Sequence, residues 1–143
     1  MTKYLCCVLA VILLSVQNDK KNLLCHKWIQ FAFKSHKEAS LHYVARTMAK
    51  ECQFKSDGSY IESTNNNTVK SQGNWYLNPK QSKFDLTTLT INGLHVPVST
   101  NPTRHYNHII LKLTRDTLIY GEEDYYGKDY VYGHDDWYFV REK

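Results

Sequence analysis

No apolar run in this 143-residue chain is long enough to cross a bilayer comfortably; the longest extends from Tyr4 to Leu14. None of its four cysteines stands in a C-x-x-C or comparable spacing, which removes a structural zinc site. Among the histidines only His105 and His108 are suggestively spaced, and residues three apart on a strand face opposite sides, so no metal is expected. An EF-hand loop is excluded in "KSDGSYIE", because Asp57 is the one acidic residue before Gly58 and Glu62 follows too soon. No serine or cysteine stands beside "GHDDW" to form a nucleophile with His134. The run Glu122, Glu123, Asp124 fits a solvated loop better than a paired-carboxylate site. These absences point away from an enzyme and away from any cofactor.

A single-signed stripe of charge is also missing. Between Asn18 and Lys83 there are eleven Lys and Arg against five Asp and Glu; from Phe84 onward there are six against nine. The positive charges are scattered over a solvated surface, and nucleic acid is not an expected partner.

What is present starts with the first seventeen residues. Lys3 followed by the Tyr4 to Leu14 run has the make-up of a secretory signal peptide, or of an uncleaved anchor that would be the chain's one contact with a membrane. The expected organisation is a signal or anchor over residues 1–17, a linker over 18–26 and one domain over 27–143, exported to a periplasmic, secreted or envelope location. One domain is what this length supports. Loss of Cys6 and Cys7 with the signal leaves Cys25 and Cys52. In an oxidising compartment these two form a candidate disulfide, worth about 3 to 4 kcal/mol; two reduced buried thiols are the alternative.

Along the domain the dominant period is two. "CHKWIQFAF" reads as a strand through Phe33. Ser35 to Glu38 then fits a capping box, and Leu41, Val44, Ala45 and Met48 follow at helical spacing, which predicts one short helix over about Lys37 to Ala49. Beyond it come strands in "CQFK", "YIES", "VKSQGNWYL", "KFDLTTLTI", "LHVPV", "HYNHIILKLT", "TLIYGEED", "YVYG" and "DWYFVRE". Asp57-Gly58 and Asn92-Gly93 mark hairpin turns, Pro97 an edge, and a bulge near Thr87-Thr88 brings Phe84, Leu86, Leu89 and Ile91 onto one face. Eight or nine short antiparallel strands at nearly regular spacing make an all-β sandwich or an up-and-down barrel, and closure removes exposed edges.

The ordered phrases "FKSDGSY", "GNWYL", "FDLTTLTI" and "LKLTRDTLIY", with Trp28 before them, resemble the lipocalin-like domains of exported Bacteroidetes proteins over roughly Leu24 to Arg141. The resemblance implies a lipocalin-like barrel of about eight strands. It also implies a binding role for a small apolar or amphipathic molecule held by an inward-facing set: Trp28, Phe54, Tyr60, Trp75, Leu86, Ile109 and Leu111. Tyr132 and Trp137 join that set from the aromatic C-terminal region. Six of the eleven tyrosines lie between Tyr120 and Tyr138, interleaved with acidic residues. The alternative reading is a filled barrel that binds a protein or glycan through that acidic, tyrosine-rich surface.

Overall fold

A computed structural model describes residues 20–35, 38–64, 68–97, 108–122 and 135–143. The N-terminal segment, "YVYG", Tyr132 and most of the tyrosine-rich stretch lie outside them. The described residues form ten strands: β1 (Lys27–Ser35), β2 (His42–Tyr43), β3 (Glu51–Phe54), β4 (Ser59–Thr64), β5 (Val69–Leu77), β6 (Lys83–Ile91), β7 (Leu94–His95), β8 (His108–Leu113), β9 (Thr117–Glu122) and β10 (Asp135–Arg141). Eight of them pair antiparallel in the order β1, β3, β4, β5, β6, β8, β9, β10, and β10 returns to β1 from Ser35↔Asp135 to Trp28↔Arg141. The result is a closed up-and-down barrel. The two-residue strands β2 and β7 are accessories that pair with β1 and β6.

Local chemistry sets the corners. The β3–β4 hairpin turns at Asp57-Gly58: Asp57 Oδ1 accepts hydrogen bonds from the Ser59 amide and hydroxyl at 2.8 and 2.7 Å, and Gly58 takes φ +86°. Asn92 and Gly93 both have positive φ, the requirement of a two-residue type I′ hairpin between β6 and β7. The bulge expected near Thr87-Thr88 falls one residue later. Gly73 pairs with Thr88 and Gln72 with Thr90, so Leu89 is the extra residue. At Gly73 β5 and β6 approach closely, since a Cβ there would meet the Thr87 carbonyl oxygen at 1.9 Å.

The helix after β1 differs from the expectation in length. It is a single 3-10 turn, Arg46–Met48, while His42 and Tyr43 are extended and pair with Phe33 and Ala32. The Val44 amide donates to the Phe31 carbonyl at 2.9 Å, and the Gln30 amide donates to the Lys50 carbonyl at 2.9 Å. A helix over residues 38–49 would leave the upper edge of β1 without these partners. The β-favouring run Leu-His-Tyr-Val satisfies that edge instead, so tertiary pairing overrides the helical spacing. Residues 42–54 therefore act as one strand interrupted by a short excursion. Gln30 spans the interruption, its side-chain oxygen accepting from the Lys50 amide at 3.2 Å.

Candidate functional site

Up-and-down connectivity gives the barrel two unlike ends. The β3–β4, β5–β6 and β8–β9 connections are tight and lie together at one end, where residues 20–24 form a helical turn. Lys20 Nζ donates to the Gln81 carbonyl and Trp28 Nε1 to the Leu24 carbonyl at 2.9 Å, which anchors that turn as a cap. The opposite end carries β2 and the 3-10 turn.

The capped half is filled. Leu24, Trp28, Phe54, Trp75, Phe84, Leu118, Tyr120 and Phe139 are buried in one cluster. Phe54 meets Trp75 and Phe84 edge-on at 5.7 Å, Phe84 meets Tyr120 edge-on at 5.2 Å, and Tyr120 stacks on Phe139 at 5.3 Å. Four residues of the expected inward set, Trp28, Phe54, Tyr60 and Trp75, are in this core. Leu86 and Trp137 pack against it from positions of partial burial. Two others are placed differently. Leu111 is the bulge residue of β8 and is 53% exposed, and Ile109 is only half-buried, because Ile110 and Leu113 take the inward positions opposite Tyr120 and Leu118. Cys25 and Cys52 are free thiols, so the expected cross-link is not formed.

The uncapped half is polar and partly open. Inward positions of β3 and β4 put Cys52 opposite Glu62, and Cys52 Sγ donates to Glu62 Oε2 at 3.4 Å. Burial, then the Glu62 charge, pushes the Cys52 thiol well above its ordinary range, which disfavours the thiolate. Lys50 Nζ lies 3.7 Å from Glu62 Oε2 and 4.4 Å from the centre of the Trp137 ring. The Tyr60 and Thr88 hydroxyls share a hydrogen bond of 2.6 Å. His108 stacks on Phe84 at 4.7 Å, and burial holds its imidazole down to about 4, partly offset by a backbone hydrogen bond with Phe84.

Beside Trp137 a cavity of about 390 Å³ opens at the barrel end, lined by Gln30, Phe33, Tyr43, Val44, Ala45, Met48, Asp135 and Trp137. Phe33 lies 6.1 Å from Trp137 and stacks on His42, whose Nε2 pairs with Glu38. Tyr43 and Met48 form the rim at 78% and 66% exposure. The Trp137 indole N–H is buried without a hydrogen-bond partner among the described residues. At the capped end a second hollow of about 330 Å³ is lined by Lys21, Asp57, Gly58, Trp75, Tyr76 and Leu77.

Of the cavity lining, Trp137 alone belongs to the expected set. Tyr43 and Met48 are hidden by the helical reading of residues 37–49, and the signal for Tyr43 is the β-favouring "LHYV" segment; Phe33 is read correctly as part of the first strand but not as a site residue. Alternation from Tyr60 would have found Glu62, since residues two apart on β4 share the interior face.

The chain matches no protein-family model, no curated protein and no solved structure. Among the described residues no group of three or more His, Cys, Asp or Glu is placed to hold a metal ion, and no helix is long and apolar enough to cross a membrane.

Proposed function

We propose that this protein is an exported, lipocalin-like binding protein that holds a small apolar or amphipathic molecule at the uncapped end of its barrel. The observation that carries this reading is the cavity between Phe33, Trp137 and the 3-10 excursion, whose volume of about 390 Å³ falls within the roughly 300 to 1,000 Å³ usual for small-molecule sites. Its walls are mainly aromatic and aliphatic, and Gln30 and Asp135 supply the few polar groups that fix orientation. The packed aromatic cluster below it limits the ligand to one that enters the open half. Two features support binding over catalysis in this reading: burial and Glu62 raise the Cys52 thiol, and the His108 ring is stacked on Phe84.

Native mass spectrometry of protein purified under mild conditions, before and after organic extraction, tests the proposal. The expected result is an added small-molecule mass that extraction removes. An unliganded mass, together with no thermal stabilisation by alkyl acids, alcohols or amines, contradicts it and turns attention to a protein or glycan partner.

A further inference from the structure

Resting on the binding reading above, we infer that the open-end cavity selects a positively charged ligand, an alkyl- or arylammonium ion, with Asp135 as its counter-ion. Asp135 is the one ionisable carboxylate in a wall otherwise made of Phe33, Tyr43, Trp137, Met48, Val44, Ala45 and Gln30. Its carboxylate has no ion-pair or hydrogen-bond partner among the described residues. Among the described residues, three basic side chains near this end of the barrel already have partners. Lys50 sits between Glu62 and the Trp137 ring, Arg46 pairs with Glu51 at 2.8 Å, and His42 pairs with Glu38.

An unpaired carboxylate against aromatic rings is a poor environment for an anion and a good one for an organic cation. The ring faces carry negative potential, and an alkylammonium spreads its charge over carbon, so it loses little hydration on entering such a site. Lys50 covers one face of Trp137, which leaves Phe33, Tyr43 and the rest of the indole to contact the ligand. The Lys50 charge is itself compensated by Glu62. At long range the chain's net charge of +4 favours anions, so a cation preference has to originate in the cavity.

Isothermal titration of the full chain at low salt with octyltrimethylammonium, 1-octanol and octanoate tests this, since the three share a tail and differ in head charge. The expected order is ammonium first by about tenfold over the alcohol, with octanoate weakest. Asp135→Asn should bring the ammonium down to the level of the alcohol measured on the same variant, and Asp135→Ser serves where the first variant folds poorly. Octanoate binding as tightly as the ammonium, or a cation preference that survives loss of the carboxylate, overturns the inference while leaving the binding reading standing. Binding of none of the three overturns both.

Discussion

The Lys50 ammonium lies 4.4 Å from the centre of the Trp137 ring and 3.7 Å from Glu62 Oε2, joining the segment just before β3 to β4 and β10 across the uncapped half of the barrel. Both partners of the ion pair are about four-fifths shielded, with 19% and 21% of their side chains exposed, so the interaction is stronger than at an open surface. Lys50→Met should cost about 1 to 2 kcal/mol, much of it from leaving Glu62 without a cation. In a double-mutant cycle with Glu62→Gln, denaturant unfolding should give a coupling of about 1 kcal/mol. Strict additivity would show that the two side chains do not interact.

The two cysteines of the barrel should differ in reactivity. Cys52 is buried at 2% exposure and its thiol is pushed up by burial and by Glu62, whereas Cys25 is half-buried and only raised. Alkylation at mildly alkaline pH followed by peptide mapping should label Cys25 in the native state and Cys52 only after unfolding. Native labelling of Cys52 at the Cys25 rate would contradict the placement of β3.

Acid should weaken the fold through His108 before the carboxylates titrate. Its folded imidazole titrates at about 4 against 6.5 for the free group, so the unfolded chain binds the proton more readily. The stabilisation is complete above 6.5 and is lost as pH falls from there through about 4, by about 3 kcal/mol in all. His26, also lowered by burial, contributes in the same sense. His108→Gln should flatten stability against pH in that window, measured by urea unfolding at several pH values. An unchanged slope would remove His108 as the cause.

Strand alternation and turn chemistry made most of the barrel legible. "KFDLTTLTI" is β6 to the residue, "VKSQGNWYL" is β5, and Asp57-Gly58 and Asn92-Gly93 turn where glycine and asparagine permit positive φ. The candidate site was mostly illegible because it depends on two irregularities that local pattern does not encode. The 3-10 excursion after β2 exists because β1 needs a partner along its upper edge, a demand set by the closed sheet and not by residues 38–50. The β8 bulge at Leu111 reverses the parity beyond it, so alternation counted through that strand assigns Ile109 and Leu111 to the interior and misses Ile110.

The most direct test of the open-end binding site is an amide and indole chemical-shift titration of isotopically labelled protein with octyltrimethylammonium. The account predicts saturable shifts at Gln30, Phe33, Val44, Met48, Asp135 and the Trp137 indole N–H, with little change at Trp28 and Trp75 in the filled half. Shifts centred on Lys21, Trp75 and Tyr76 at the capped end, or no saturable shifts at all, would contradict it.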